Sequence, residues 1–299
     1  MSAAGRTPKG AAESPVGHGH DVVYGRNPLR EALRGRRRVH RVWVQTGKAG
    51  TDLTAEVHGW ATEAGVSAPS LEVRSLEELG VLAASSDHQG VVAEVDAFPY
   101  TPEGEVLERF DLVLVLDRIQ DPHNLGAIVR TAEVAGAAVV IPRHRTAVVT
   151  AAVVKASAGA TEHAAVAQVR NLTDFLSDAK AAGFWVYGAD ASATTSHYDH
   201  DYQGKTVFVL GSEGEGLGRR VNQACDVVVR IPQAGRVGSL NVSVSAGVLL
   251  FEAHRQRAGK ATASSDDQAG GDSGARGAGA SGDEVPGGGV SGTLGGDAR

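Results

Sequence analysis

The sequence predicts an α/β protein in two parts, a small α/β module followed by a larger domain built on a parallel sheet. Three observations carry this. Short β-rich runs alternate with helical ones from residue 21 to residue 257. The run Asp111-Leu-Val-Leu-Val-Leu-Asp117 is apolar throughout rather than alternating, the pattern of a strand covered on both faces. A stretch over residues 98–109, carrying Pro99, Pro102 and Gly104, reads as a linker between the two parts. The 299 residues suit one large or two ordinary domains.

Residues 1–20 are rich in Ala, Gly, Pro and Ser without periodicity and are expected to be disordered. His18 and His20 there lack further ligands, so no metal site is predicted. Residues 21–25 read as a strand. Asn27-Pro28 offers an N-cap and a first-turn proline for a helix over 29–34. Residues 39–45 alternate as a strand, with Val42 and Val44 on one face and Arg41 and Trp43 on the other. A helix over 53–64 stops at Gly65, a short strand follows at 70–73, and Ser75 with Glu78 forms a capping box for the next helix. His88-Gln-Gly then leads into a strand, completing a module over 21–97.

In the second part, spanning 110–257, the apolar strand is followed by a turn at Asp121-Pro122, a helix reaching residues 133–136 and a strand over 137–141. Strand, helix and strand with short joins make a right-handed βαβ unit. A small-residue helix over 151–159 and a strand over 163–169 come next. Asn171 caps a helix to 182 with Leu172, Phe175, Leu176 and Ala179 on one face. Strands over 184–189 and 207–211 precede a glycine loop, a short helix, another strand and a polar loop, and a long helix over 240–257 ends the domain. From residue 258 the Gly-, Ser- and Asp-rich tail has too little apolar surface to order itself.

The formal net charge of −6 gives no global bias toward nucleic acid, although acidic residues in the tail hide local basic clusters. A single cysteine, Cys225, excludes an intrachain disulfide framework and suits a reducing compartment. The N-terminus lacks the apolar core of a secretory signal, and no apolar run approaches the roughly 20 residues that span a bilayer. The expectation is a soluble cytoplasmic protein. Arg34, Arg36, Arg37, Arg38 and Arg41 crowd the join between a helix and a strand, and guanidinium groups hold phosphates through paired hydrogen bonds, so this run is a candidate surface for binding RNA or DNA. Arg118, Arg143, Arg145 and Arg236 are secondary candidates.

Two loops, over 211–218 and 233–239, follow β-rich runs, the position where ligands sit in open α/β sheets. The first, Gly211-Ser-Glu-Gly-Glu-Gly-Leu-Gly, has neither the spacing of a dinucleotide fingerprint nor the Lys-Ser/Thr of a P-loop. Its glycines still permit close approach of backbone to a ligand, and Glu213 stands among them. Ser239 and Asn241 lie at a helix entrance, where a serine serves as N-cap.

Three blocks then carry a specific resemblance. They are Asp117-Arg-Ile-Gln-Asp-Pro-His-Asn-Leu-Gly-Ala-Ile-Val-Arg-Thr-Ala, Val209-Leu-Gly-Ser-Glu-Gly-Glu-Gly-Leu, and Ile231-Pro through Ser239-Leu-Asn-Val-Ser. In order and spacing they resemble the three motifs of the SpoU RNA 2′-O-ribose methyltransferases of the SPOUT superfamily. The first module, with Tyr24-Gly-Arg-Asn-Pro and His88-Gln-Gly-Val-Val-Ala, is similar to the family's L30e-like substrate-binding module. The layout most resembles the bacterial 23S rRNA guanosine 2′-O-methyltransferases. The resemblance implies a trefoil-knotted catalytic domain, S-adenosylmethionine as methyl donor, a homodimer and an RNA substrate. It implies cofactor contacts at Leu210, Gly211, Ile231 and Leu240, and active-site roles for Asn124, Arg130, Glu213, Ser239 and Asn241, with Arg130 as the family's proposed catalytic residue. The separate module favours rRNA over tRNA as substrate; an adenosine in rRNA, as in the related antibiotic-resistance methyltransferases, is the other alternative within the family, and a non-catalytic RNA-binding or ribosome-assembly factor is the alternative of another class.

Overall fold

The computed structural model describes residues 16–269 apart from Val237, and the side chains as far as Ala258. The first sheet comprises β1 (His20–Tyr24), β2 (Val39–Gln45), β3 (Ser70–Arg74) and β4 (Val91–Asp96), with helices α1 (Arg26–Arg34), α2 (Lys48–Ala64) and α3 (Leu76–Ala83). Its order is β1-β4-β2-β3, with β4 antiparallel to β1 and β2, and β2 parallel to β3. Alternation along β2 sends Val42 and Val44 into the main core, while Trp43 packs with Tyr24, Leu79 and Val92 on the opposite face. Both faces of this small sheet are therefore covered.

Several boundaries move. Order begins before residue 21: His20 opens β1, and the Gly17 amide donates to Glu94 at 2.7 Å. Helix α1 starts at Arg26 behind Gly25, whose φ of 93° turns the chain, so Asn27 lies inside the helix rather than capping it. The cap is supplied from a distance, because the Arg26 amide donates to Gln89 Oε1 at 3.1 Å. Gly65 ends α2 in the left-handed conformation, and Ser75 and Glu78 form the capping box of α3. The linker is not wholly irregular: α4 (Glu103–Arg109) occupies it, held by buried Val106 and an Arg109–Glu105 ion pair. Pro99 and Pro102 precede the helix, Pro102 at its N-cap, where a proline removes no intrahelical hydrogen bond.

The second sheet contains β5 (Leu112–Leu116), β6 (Ala138–Pro142), β7 (Val166–Val169), β8 (Trp185–Ala189), β9 (Thr195–Ser196), β10 (Thr206–Leu210) and β11 (Val227–Arg230). Around it lie α5 (Pro122–Val134), α6 (Ala151–Ala156), α7 (Leu172–Ala181), α8 (Arg219–Ala224) and α9 (Val242–Ala269). The order is β7-β6-β5-β10-β8-β11-β9 and every pairing is parallel. Strand β5 is buried on both sides, as its sequence requires: Leu112, Leu114 and Leu116 join one core, Val113 and Val115 another with Phe175 and Leu176 of α7. Each such side chain contributes about 1.5–3 kcal/mol on burial. From β5 the chain runs outward through β6 and β7, and β10 later returns between β5 and β8. That reversal makes the carboxyl ends of β5 and β10 the switch point of the sheet.

Helix α9 continues past residue 257, the end that the sequence predicts, to Ala269. The disorder expected of residues 1–15 and 270–299 concerns positions outside the described residues.

Candidate active site

The two glycine-bearing loops meet at the carboxyl ends of β5, β10, β8 and β11. At the end of β10 the loop doubles back so tightly that a Cβ on Gly211 would lie 2.1 Å from the carbonyl carbon of Gly216. Gly214 and Gly216 take φ of 89° and 63°, which a side chain resists, and the Gly216 amide donates to Ser212 O at 3.0 Å. The turn is clamped from β5. Buried Asp117 accepts from the Gly218 amide at 2.7 Å. Arg118, itself left-handed at φ 63°, reaches Glu215 at 2.5 Å and Gly216 O at 3.3 Å. Sequence reasoning assigned neither residue this clamping role; a carboxylate at the end of a buried parallel strand was the available signal for Asp117.

Beside this loop three side chains close a ring of hydrogen bonds. Asp121 caps α5 by accepting from the His123 amide at 2.9 Å, which sets Asn124 in the first turn. Asn124 Nδ2 donates to Glu213 Oε1 at 3.1 Å. Asn241 Nδ2 donates to Asn124 Oδ1 at 2.9 Å and to Glu213 Oε1 at 2.8 Å. Asn241 Oδ1 meanwhile accepts from Ser243 N at 2.8 Å and Ser243 Oγ at 2.6 Å. The cap of α9 is thus Asn241, and the serine cap considered at residue 239 is displaced. Ser239 is exposed and hydrogen-bonds to no described residue.

Two clefts open on either side of Glu213. One, about 470 Å³, is lined by Leu210, Gly211, Ile231, Ser239 and Leu240, with Asp190 and Ser245 added to the set that the sequence indicates. Asp190 follows β8 directly, so its place at a strand end could have found it. Leu210, Val229, Ile231 and Val242 give this cleft apolar walls, and the glycine turn gives it exposed backbone. Apolar walls with a few convergent polar groups fit a nucleoside-sized ligand. The second cleft, about 520 Å³, is lined by Arg118, Gln120, Asp121, Asn124, Arg145 and Glu213 among others. Ser212, Glu213, Glu215 and Val242 belong to both.

Arg130 lies elsewhere. It stands on the exposed side of α5, lines neither cleft and has no hydrogen-bond or ionic partner among the described residues.

The packing divides the arginine run. Arg37 is 5% exposed, donates from Nε to Glu162 Oε2 at 2.9 Å and forms a second bond to the same carboxylate, which is itself buried. Arg36 donates to Ala164 O at 2.8 Å. Arg34 pairs with Glu63 at 2.9 Å, and Arg41 with Glu72 at 3.4 Å and Glu94 at 3.8 Å. Only Arg38 leaves its guanidinium without a partner among the described residues. Arg36 and Arg37 tie the first module to the segment before β7, while Arg34 and Arg41 pair within the module, uses of guanidinium groups that composition does not distinguish from phosphate binding.

Comparison with known proteins fits this geometry. Residues 111–251 match the SpoU rRNA Methylase family, and residues 22–101 match the family described as RNA 2′-O ribose methyltransferase substrate binding. A Bacillus subtilis protein named as a TrmH family tRNA/rRNA methyltransferase, YacO, is 38% identical over 80% of this chain and 96% of its own. The 23S rRNA (guanosine-2′-O-)-methyltransferase RlmB of Pseudomonas syringae is 39% identical over 80% of this chain and 97% of its own. The crystal structure of the SpoU methyltransferase AviRb from Streptomyces viridochromogenes in complex with AdoMet superposes with a TM-score of 0.66 at 26% identity, covering 80% of this chain and 91% of that one. Motif order, the glycine cradle and these matches agree: the chain belongs to the SpoU family and is an S-adenosylmethionine-dependent RNA 2′-O-methyltransferase.

Proposed function

We propose that the chain methylates the ribose 2′-hydroxyl of a guanosine in 23S rRNA, acting in the cytoplasm as a homodimer. The observation that carries the geometry is the shared wall of the two clefts, with Glu213 held by Asn124 and Asn241 between a nucleoside-sized cradle and an open polar cleft. In this reading Leu210, Gly211, Ile231 and Leu240 hold S-adenosylmethionine, which supplies an electrophilic methyl group. The apolar walls and bare glycine backbone fit its adenosine. Ser239, at the mouth of the same cleft, shapes the passage to the RNA side. The rigid amide–carboxylate ring fixes Glu213, so that the incoming hydroxyl meets a set geometry. Residues 206–252 would form the threaded part of the trefoil knot, a reading supported by the insertion of β10 between β5 and β8.

Arg130 keeps its role as a clamp for the target phosphate and hydroxyl, but from across a dimer contact. Helix α9 packs on α5, where a Cβ on Gly247 would sit 3.8 Å from Thr131 Cγ2. The two helices together expose Val134, Val244 and Phe251 at 62%, 50% and 47%. Burying that apolar face against a second copy would bring its α5, and with it an Arg130, toward the cleft. Phe251→Glu should then give monomers in light scattering together with loss of methylation; an unchanged dimer would refute the contact.

The substrate reading rests on the named 23S rRNA relative and on the match of residues 22–101 to a substrate-binding family. Mapping 2′-O-methylated positions with and without the protein tests it. One guanosine in 23S rRNA should depend on the chain, whereas a dependent site in tRNA, or none, would overturn the assignment.

A further inference from the structure

The second cleft holds a cation that no described residue neutralises. Arg145 lines it beside Asn124 and Glu213, and its guanidinium makes no hydrogen bond or ion pair with any described residue. Its backbone is left-handed, with φ of 59°. For a residue with a side chain this conformation is strained and persists where neighbouring bonds impose it. Those bonds are present on both sides. The Arg143 amide donates to Val169 O at 2.9 Å, Thr146 Oγ1 to Ile119 O at 2.8 Å and the Ala147 amide to the same oxygen at 2.7 Å. The turn is thereby pinned to the loop after β5 that carries Gln120 and Asp121.

Arg118 is also left-handed and lines the same cleft, but Glu215 at 2.5 Å and Asp117 at 3.3 Å neutralise it. With Glu215 engaged by Arg118, the remaining acidic groups on the wall are Asp121 and Glu213. A phosphodiester approaching Glu213 would meet net repulsion without a cation held in place. Arg143 on the same loop, and Arg170 just after β7, are exposed and have no side-chain partner among the described residues, so positive charge extends outward from the cleft.

We propose that Arg145 grips an RNA phosphate flanking the target nucleotide, with Arg143 and Arg170 following the backbone away from the site. The left-handed turn aims the guanidinium, and the bonds to Ile119 and Val169 keep it aimed. This assigns an RNA path to the rim of the methyl-transfer domain, where Arg145 has no partner among the described residues, whereas Arg36 and Arg37 of the run over 34–41 are engaged inside the fold. It rests on RNA ribose as the substrate. Arg145 is a positioning residue in this scheme and takes no part in proton transfer.

Arg145→Gly and Arg145→Asn both accept left-handed backbone, so they remove the charge while keeping the turn. Binding is measured against salt for a 23S rRNA transcript and for a short oligouridylate, alongside methylation kinetics and S-adenosylmethionine calorimetry. Both variants should bind either RNA about tenfold more weakly, with the slope of log K against log salt reduced by about 0.7–0.9. KM for RNA should rise while kcat at saturating RNA holds, and Arg145→Lys should recover part of the affinity. An unchanged affinity and salt slope would overturn the proposal. So would a loss that also removes cofactor binding, since it would place Arg145 in the fold rather than at the interface. Failure of the wild-type protein to methylate the transcript would instead remove the 23S rRNA reading; the oligouridylate measurement still decides whether Arg145 grips phosphate.

Discussion

At the scale of single residues, Asn241 does the work of two. Its Oδ1 caps α9 and its Nδ2 fixes Glu213 and Asn124. Asn241→Ala should lower stability by about 1–2 kcal/mol through the lost cap, and reduce methylation at least about tenfold because Glu213 loses a charge-assisted donor. Asn241→Asp keeps the capping oxygen but sets a second carboxylate against Glu213. Thermal unfolding near wild type with methylation still depressed would separate the two roles; full activity in the aspartate variant would show that the ring is only structural. Gly211 offers a second test. A methyl group there would sit 2.1 Å from the Gly216 carbonyl carbon, against backbone that cannot yield like a flexible side chain. Gly211→Ala should displace the turn and abolish detectable S-adenosylmethionine binding in calorimetry while the circular dichroism spectrum stays native. Normal cofactor affinity would mean that the cradle lies elsewhere.

Elements were legible where local chemistry is self-sufficient. The Ser75–Glu78 box, the Asn171 cap and the Gly65 stop all appear where the sequence places them, because each satisfies helix-end groups within a few residues. The all-apolar β5 likewise required cover on both faces and has it. The misses share a cause. Asn27 does not cap α1 because Gln89, 63 positions away, reaches the first amide, and Ser239 gives way to Asn241 because that side chain is also tied to Glu213. For the self-sufficient case, Ser75→Ala should cost about 1 kcal/mol in denaturant unfolding, and the fold and cofactor binding should be untouched. A change of several kcal/mol would show that Ser75 has contacts beyond its own helix end.

Across the whole molecule, Arg37 and Glu162 join the first sheet to the second in a buried pair, seconded by Arg36 on Ala164 O and by His163 on Glu31 at 2.8 Å. Breaking one partner leaves the other charge stranded. Arg37→Met should therefore destabilise the chain by about 3–5 kcal/mol, and Arg37→Met with Glu162→Leu should recover most of that loss. A single variant that lost RNA affinity at full stability would instead place Arg37 on an RNA-binding surface. The placement of the site is also a whole-molecule property. Asn124, Glu213 and Asn241 are separated by 89 and 28 positions in chain order and meet because β10 returns between β5 and β8.

By itself the sequence determined the α/β class, the parallel sheet, the order of most elements, and a set of motif residues that includes Asn124, Glu213 and Asn241. Apolar periodicity, short-range capping and motif spacing are properties of neighbouring residues, and they survive in one dimension. Only the tertiary structure decided what the charged groups are for. Arg37 and Arg145 are the same residue type, each in a basic run, yet one is buried against Glu162 and the other faces a cleft without a partner among the described residues. Whether a guanidinium holds the protein together or is left for a ligand depends on which carboxylates and carbonyls the fold brings to it. For Arg37 the buried carboxylate that takes two of its bonds, Glu162, lies more than a hundred positions away, beyond the reach of any local pattern.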